Sequence, residues 1–270
     1  MKDYLIRELG NPGRIEILRK LKEKSCGVGD IAGMDGVSVS TASRIMSKLE
    51  SLDIVERYYN GRYRLTGFGV AVEKMLSSLE CVYEYRGDII ELSEFISLLP
   101  PEFVAGFCNL KKAEVMDVED AINAGVEAIK NANNYGLYVD KVISYEIYRV
   151  MAEKNLEGVS EKVISNHETL FGRRSMFKRV LMEMELCKEE YEIIKNKAEI
   201  RVLDTPIQLG VIDGNLAILQ LNDRTDRLYV SSDRDFIRWC EYLFWYLWER
   251  AENAEWSKIV DMVMAEKGFA

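Results

Sequence analysis

Apolar residues recur at helical spacing through the first part of the chain, and turn-forming residues separate the runs. The spacing predicts a first helix over residues 12–24, with Asn11 as its cap and Pro12 in its first turn. A short second helix around Ile31 is expected to end at a tight turn that Gly36 supplies. The chain therefore begins with two predicted helices joined by a short connection.

A third helix is predicted from Ser38, which can cap it, to about Leu52. One face of this helix is apolar and consists of Ala42, Ile45, Met46, Leu49 and Leu52. The other face is polar and carries Ser40, Thr41, Ser43, Arg44, Ser47 and Lys48. The pattern indicates a helix that packs on one side and presents hydroxyl and cationic groups on the other.

Two short β-prone runs, residues 54–58 and 62–65, flank an Asn-Gly pair, which is the strongest short signal for a hairpin turn. A connecting helix is predicted from about residue 68 to 85. A further helical stretch over residues 89–99 is expected to stop at two consecutive prolines. Three helices, a hairpin and a trailing helix thus follow one another along the chain.

Beyond residue 101, helical stretches alternate with short apolar runs, which is the pattern of βα units. These runs are residues 113–117, 137–143 and 159–164. Four further strands are predicted at residues 199–203, 207–212, 216–221 and 228–230. A long aromatic helix from about Asp233 and an amphipathic segment through Met264 close the chain. The second half is therefore predicted to be a mixed α/β domain.

Composition favours a helix-rich globular protein. The 270 residues are 48% hydrophobic and include only four prolines. No stretch approaches the roughly 18 consecutive apolar residues of a membrane helix. The five cysteines form no CxxC pair, and with a single histidine their spacing provides no ordinary zinc ligand set. We expect a cytoplasmic protein without a metal, a cofactor or a membrane partner.

Charge is distributed unevenly along the chain. The formal net charge is −9, yet residues 1–75 carry 13 Lys and Arg against 10 Asp and Glu, a balance of +3. The remaining residues are therefore strongly acidic. This asymmetry is compatible with a DNA-binding domain joined to a domain that does not touch DNA.

The segment GVSVSTASR at residues 36–44, followed by Tyr63-Arg64-Leu65-Thr66 and Gly69, resembles a winged helix-turn-helix DNA-binding domain over about residues 10–80. Short polar side chains at the start of the third helix allow close approach to the major groove, and Arg44 can bind guanine or a phosphate. The hairpin arginines suit the minor groove or the backbone. The predicted DNA-binding residues are Ser40, Thr41, Ser43, Arg44, Lys48, Arg57, Arg62 and Arg64. The alternative is a winged helix that serves protein contacts, with its arginines solvated.

The whole arrangement also resembles archaeal winged-helix regulators whose second half is the methanogenesis regulatory protein middle domain. The residues that carry this resemblance are ELSEFISLLPPEF at 91–103 and VSSDRDFIRW at 230–239. The resemblance implies a transcription factor with an α/β sensory or assembly domain. The domains expected are a winged helix-turn-helix with its trailing helix, a linking helix, the α/β domain and a C-terminal amphipathic helix, at residues 1–85, 86–100, 101–254 and 255–270.

His167, Arg173, Arg174 and Arg201 are candidate effector-binding residues, because arginines and a histidine can hold a small anion. The alternative is that His167 caps a helix or lies on the surface and that the arginines meet the carboxylates of an acidic domain. No Walker loop, GxGxxG fingerprint or GxSxG elbow occurs, so no catalytic residue is assigned and an enzyme is not expected.

The sequence therefore predicts a DNA-binding transcriptional regulator that binds double-stranded DNA as a homodimer, with a C-terminal domain for a small, anionic effector or for assembly. The rival interpretation is an α/β small-molecule-binding protein or enzyme. The aromatic helix that begins near Asp233 either packs on the sheet or forms part of a dimer interface.

Overall fold

The chain has a mixed α and β fold, with a helical N-terminal region, a mixed sheet and C-terminal helices. A computed structural model describes residues 2–11, 13–34, 37–222 and 226–269. It divides into two compact units, which we call the N-terminal unit, Met1–Glu84, and the C-terminal unit, Tyr85–Ala270. None of the described helices is long and apolar enough to cross a membrane.

The described part of the N-terminal unit contains five helices and a two-stranded hairpin. The helices are α1 Lys2–Leu9, α2 Arg14–Glu23, α3 Val28–Ala32, α4 Val39–Ser51 and α5 Gly67–Glu84. The strands are β1 Val55–Arg57 and β2 Tyr63–Leu65, and they pair antiparallel. The order of α2, α3, α4, hairpin and α5 matches the order predicted from the sequence.

The start of α2 differs from the prediction. Gly13, in the left-handed region at φ 79°, directly precedes the helix. Asn11 does not cap it, because its side-chain amide donates to the carbonyls of Arg7 and Glu8 at 3.0 and 3.1 Å. It therefore ends α1, a helix that the sequence did not predict. Pro12, Asp35 and Gly36 lie outside the described residues.

The core of the N-terminal unit forms where α2, α3 and α4 meet the hairpin. The buried side chains of α4 are Ala42, Ile45, Met46 and Leu49, four of the five predicted for its apolar face. The turn of the hairpin places Asn60 at φ 58° and Gly61 at φ 71°, so both occupy the left-handed region that Asn and Gly tolerate best. Gly69 allows close approach of α5, because a Cβ there would overlap the backbone carbonyl of Ile54.

The C-terminal unit combines helices with an eight-stranded sheet. Its described helices are α6 Arg86–Ile89, α7 Ser93–Leu98, α8 Pro101–Ala105, α9 Val118–Lys130, α10 Tyr145–Leu156, α11 His167–Glu183, α12 Lys188–Lys197, α13 Arg234–Trp248 and α14 Ser257–Glu266. Its strands are β3 Glu114–Met116, β4 Tyr135–Val139, β5 Ser160–Ser165, β6 Ala198–Val202, β7 Gln208–Ile212, β8 Leu216–Gln220, β9 Leu228–Ser231 and β10 Glu252–Asn253.

The sheet has the strand order β10-β6-β5-β4-β7-β8-β9-β3. Strands β4, β5 and β6 are parallel and are joined through helices, as βα units require. The pairs β4–β7, β7–β8, β8–β9 and β9–β3 are antiparallel. The pairing therefore changes from parallel to antiparallel between β4 and β7, and also at the edge of the sheet, where β10 pairs antiparallel with β6.

Helices cover both faces of this sheet. Tyr138 of β4 packs in a core cluster with α10, α11, α12 and α14. Tyr135, three positions earlier, points to the opposite face and donates a hydrogen bond from its hydroxyl to Glu241 of α13. The aromatic helix α13 therefore packs on the sheet, and Tyr242 and Trp245 remain partly exposed at 61% and 41%.

Three segments differ from the sequence prediction. Residues 86–100 form two short helices, α6 and α7, instead of one linking helix. Buried Asp88 holds α6 in place by accepting a hydrogen bond from the Tyr229 hydroxyl at 2.8 Å. Strand β4 covers residues 135–139 and not 137–143, because the Asp140 carboxylate accepts a hydrogen bond from the Val142 amide at 2.6 Å and turns the chain. The C-terminal amphipathic helix predicted within residues 255–270 is present as α14, but it packs into the core of the C-terminal unit and does not form a separate domain.

Candidate nucleic-acid interface

The first turn of α4 presents a small polar surface. Ser38 caps the helix, and its hydroxyl accepts a hydrogen bond from the Thr41 amide at 3.2 Å. The same hydroxyl lies 3.0 Å from the Ser40 hydroxyl and donates to the Thr41 hydroxyl at 2.9 Å. Ser40, Ser43 and Arg44 are exposed, and Thr41 is half-buried. The helix start thus combines short side chains with free access from solvent.

Arg44 differs from the other cationic candidates in its surroundings. The ion pairs of the described chain include Lys48, Arg57, Arg62 and Arg64 but not Arg44. An exposed guanidinium without a neighbouring carboxylate has its donors available for an anionic or polar partner. Arg44 is therefore the side chain of this surface best placed to bind an external group.

Lys48, one turn further along α4, is held by the protein. Its ammonium group lies 3.3 Å from buried Glu8 of α1 and 5.7 Å from the centre of the Tyr4 ring. Glu8 also accepts a hydrogen bond from Arg14 at 2.7 Å. Burial raises the pKa of Glu8, but the hydrogen bonds and positive charges of Arg14 and Lys48 outweigh it and leave the pKa below its ordinary value. Lys48 thus connects α4 to α1.

Two hairpin arginines remain exposed although each has a carboxylate neighbour. Arg57 lies 3.5 Å from Glu50, and Arg64 donates to Glu56 at 2.7 Å. The Arg64 guanidinium also stacks on the ring of Tyr58, 4.6 Å from its centre. Exposed pairs of this kind are weak, so both guanidinium groups can exchange their partners for phosphates.

Arg62 has a different environment. Its Nε donates to the carbonyl and to the hydroxyl of Ser25 at 3.1 and 3.2 Å, and its Nη2 lies 2.9 Å from Asp30. A backbone hydrogen bond from Gly27, followed by the Arg62 charge, lowers the pKa of Asp30. These contacts fasten the hairpin to the start of α3, so the structure gives Arg62 a role in packing.

The structure adds three exposed side chains to the predicted set. Tyr58 and Tyr59 are 43% and 76% exposed at the hairpin turn, and Val39 is 64% exposed at the start of α4. The alternation of these tyrosines with arginines around the Asn-Gly turn was the available sequence signal. Aromatic rings beside cationic groups can pack against sugars or bases, and an apolar side chain can contact a thymine methyl group.

The four candidate effector residues are each engaged separately in the C-terminal unit. Arg173 is fully buried, and its guanidinium donates to the carbonyl and carboxylate of Asp140 at 2.8 and 3.1 Å and to the Ser165 hydroxyl at 3.1 Å. Arg174 donates to the carbonyl of Ala254 at 2.6 Å. Buried arginine with this many acceptors holds α11 against the end of β4.

Arg201 and His167 lie elsewhere. The Arg201 guanidinium stacks on Trp248, 4.3 Å from the ring centre, and lies 3.2 Å from Glu199. His167 is exposed at the start of α11, where its amide and ring Nδ1 lie 2.9 and 3.0 Å from Asp204. The backbone hydrogen bond from His167 is the main cause of the lowered pKa of Asp204. The four side chains thus have four sets of protein partners. Among the described residues, no group of three His, Cys, Asp or Glu is placed to hold a metal ion.

Comparison with known proteins matches the N-terminal part of the chain to one family. Residues 5–86 match the model of the HVO_A0261 N-terminal domain family. This range of residues includes α2 to α5 and the hairpin. No curated protein matches the chain. The family match ends at residue 86, so the resemblance of residues 91–103 and 230–239 to the methanogenesis regulatory protein middle domain stays a prediction.

Three solved structures resemble the chain distantly. The archaeal chromatin protein TrmBL2, described as showing a novel mode of DNA binding, is 16% identical at a TM-score of 0.43, over 94% of this chain and 100% of that one. The riboflavin-derivative dimethyltransferase RosA from Streptomyces davawensis is 10% identical at 0.28, over 75% and 64%. The O-methyltransferase NcsB1 from neocarzinostatin biosynthesis is 15% identical at 0.23, over 74% and 69%. Structural similarity at these low TM-scores supports no conclusion about function.

Proposed function

We propose that the chain is a transcriptional regulator that binds double-stranded DNA through α4 and the β1–β2 hairpin, as a winged helix-turn-helix. The observation that carries the proposal is the exposed start of α4, where Arg44 has no carboxylate partner among the described residues and stands beside Ser40 and Ser43. Short side chains allow the helix backbone to approach base edges, and arginine can bind guanine with two parallel hydrogen bonds.

The hairpin supports this role through phosphate contacts. Arg57 and Arg64 are 66% and 52% exposed, and each gives up one weak ion pair and one contact with a tyrosine ring when it turns to DNA. Phosphate contacts fix the position of the protein on the duplex and carry no sequence information, whereas Arg44 is assigned to base recognition. Loss of either hairpin arginine should therefore weaken binding to all sequences alike.

The regulator is proposed to act as a homodimer in the cytoplasm. Two copies allow two copies of α4 to read two half-sites. Helix α5 offers a surface for the second copy, because Phe68, Met75 and Leu79 follow the spacing of a helix-pairing seam, with Val72 between them packed on the core of the N-terminal unit. Phe68, Met75 and Leu79 are 47%, 72% and 63% exposed. A second copy of α5 would cover this apolar stripe.

The C-terminal unit is proposed to sense a small effector. An effector changes DNA affinity only if it binds the two DNA-binding states differently. A role for Arg174, Arg201 and His167 in holding an anionic effector stays a prediction. The complete burial of Arg173 favours a role in stability for that residue.

A second candidate function is a small-molecule-binding protein or enzyme whose N-terminal unit makes protein contacts. The observation in its favour is that carboxylates neutralise Lys48, Arg57, Arg62 and Arg64. A surface with paired charges attracts nucleic acid less strongly than an unpaired basic patch.

Fluorescence anisotropy with labelled duplexes from the DNA upstream of the coding sequence separates the two functions. Arg44→Ala should reduce affinity for the preferred duplex by about 1 to 3 kcal/mol and relax the preference at one base position. The matched control is Arg149→Ala, which removes an exposed arginine paired with Glu153 on α10. Equal binding by Arg44→Ala and Arg149→Ala would contradict the proposed interface, and absence of any duplex binding would favour the second function.

A further inference from the structure

The C-terminal unit contains an apolar cavity of about 130 Å³ between α9, α10 and strands β4, β7 and β8. Its walls include Ile122 and Val126 of α9, Met151 of α10, Leu209 of β7 and Ile218 of β8. The cavity is partly open to solvent, since Ile122 on its wall is 38% exposed, and densely packed protein interiors leave few gaps larger than a water molecule. A cavity of this size under a single helix therefore requires a physical explanation.

The cavity divides the apolar core beneath α9. On one side, Ala121, Leu228 and Val230 form a small buried cluster. On the other side, Ile129 and Tyr138 belong to the large cluster that α10, α11, α12 and α14 share. The cavity touches members of both clusters. Helix α9 is thus packed at both ends and leaves a gap beneath its middle.

Two glycines line this gap, Gly210 on β7 and Gly125 on α9. A Cβ at Gly210 of β7 would meet nothing closer than the Tyr138 ring at 3.7 Å, and a Cβ at Gly125 of α9 would meet only Ile218 at 3.2 Å. Neither glycine has a left-handed φ, so the backbone does not demand it. Glycine in the interior of a helix or strand weakens that element. Both positions therefore give up local stability and leave space in the cavity.

The position of the cavity in the sheet is typical of a ligand site. It borders Val139 and Asp140 at the carboxyl end of β4, beside β7, where the sheet changes from parallel to antiparallel. In open α/β sheets, ligands bind outside the carboxyl ends of strands where the strand order reverses, and pockets with apolar walls and few polar groups are the usual sites for small molecules.

The polar groups at the rim are already paired and select against an anion. The Gln208 amide donates to Gln220 at 2.7 Å, and the Asp140 carboxylate accepts from Val142 and Arg173 at 2.6 and 3.1 Å. Arg173 balances the charge of Asp140 but is buried, and none of the described residues that line the cavity is cationic, so a ligand carboxylate would enter without a partner. An apolar cavity of about 150 Å³ in another protein holds benzene. A cavity of about 130 Å³ is therefore suited to a molecule of similar size.

We propose that this cavity binds a small, uncharged, mainly apolar molecule of the size of a benzene ring with one small substituent. The inference concerns binding to the C-terminal unit and is independent of DNA binding by the N-terminal unit.

Isothermal titration calorimetry of the full chain tests the proposal, with toluene as the probe and benzoate as its anionic analogue. Toluene should bind saturably with one site per chain, and benzoate should bind about tenfold more weakly or not at all, because no described lining residue is cationic. Gly210→Val and Gly125→Ala, which fill the cavity from opposite walls, should each weaken toluene binding by about tenfold or more. The matched control is Gly87→Val, at an exposed position of α6 where a Cβ meets no atom within 4 Å.

Circular dichroism and thermal unfolding without ligand show which variants retain the native fold. Should Gly210→Val fail to fold, Gly125→Ala decides, because its single added methyl group faces only the flexible end of Ile218. The proposal is overturned if wild-type protein shows no saturable toluene binding, if benzoate binds as tightly as toluene, or if a folded cavity variant binds toluene as well as Gly87→Val. None of these results depends on the behaviour of DNA.

Discussion

Replacement of Arg173 by Met should destabilise the C-terminal unit severely, because this arginine is a structural residue. Its side chain is 1% exposed and donates to the Asp140 carbonyl, the Asp140 carboxylate, the Val142 carbonyl and the Ser165 hydroxyl. Methionine matches much of the apolar stem but leaves these acceptors without their donor. The result would be several unsatisfied polar atoms at the end of β4.

The expected loss of stability in Arg173→Met follows from the burial of the ion pair between Arg173 and Asp140. Removal of one partner from a buried ion pair typically costs about 3 to 5 kcal/mol. The Asp140 side chain is 23% exposed, so water can partly replace the lost guanidinium and the lower end of that range applies. For a unit of this size, each kcal/mol lowers the melting temperature by about 2 to 4 °C. We expect a decrease of about 6 °C or more.

The neighbouring Arg174→Met is the matched control. Arg174 donates a hydrogen bond to the Ala254 carbonyl at 2.6 Å, so its loss should cost about 1 kcal/mol. Urea unfolding followed by tryptophan fluorescence reports on the C-terminal unit, which contains Trp239, Trp245, Trp248 and Trp256. If Arg173→Met unfolds at the same urea concentration as Arg174→Met, the structural role of Arg173 is wrong and the effector role predicted from sequence regains its support.

Three further predictions concern pH, assembly and helix capping. Burial raises the pKa of Glu161 to about 8, and the hydrogen bond with Asn155 offsets only part of this rise. Because the folded state holds the proton more tightly than the unfolded state, the protonated carboxyl stabilises the fold fully below pH 4.5, and this contribution is lost as the pH rises through 8. Glu161→Gln should remove about 5 kcal/mol of pH dependence in the free energy of unfolding across this window, and a pH-stability curve parallel to that of wild type would contradict it. Leu79→Lys should convert the proposed dimer to monomers in light scattering at micromolar concentration, and a wild-type monomer under the same conditions would refute the homodimer. Ser38→Ala should cost the N-terminal unit about 1 kcal/mol by removing the cap that Thr41 donates to, and an unchanged thermal transition would show that this cap contributes nothing.

Elements with local signals could be predicted from the sequence. Ser38 stands one residue before α4, as its capping role requires, and the Asn-Gly pair marks the hairpin turn with both residues in the left-handed region. The four strands from β6 to β9 were found because short apolar runs and turn residues alternate there. In each case, residues close in sequence determine the conformation.

Features that depend on distant partners were missed or placed wrongly. Burial of Arg173 requires Asp140, 33 residues away, to supply two acceptors. Asp88 lies in α6, shortly before the break between α6 and α7, and its partner Tyr229 is 141 residues away. The cavity beneath α9 arises from glycines on separate elements, and a single glycine in an amphipathic helix does not reveal what faces it. Arg62 looked available for DNA, and only the fold shows that Ser25 and Asp30 hold it.

The salt dependence of DNA affinity tests the central claim most directly. With Arg57 and Arg64 in each of two copies, about four phosphates are contacted, so the logarithm of the association constant should fall with the logarithm of salt concentration with a slope of about −4. Replacement of both arginines by Ala should bring this slope close to zero, and Arg149→Ala should leave it unchanged. A wild-type slope near zero, or the same slope in the double variant, would contradict DNA binding through α4 and the hairpin.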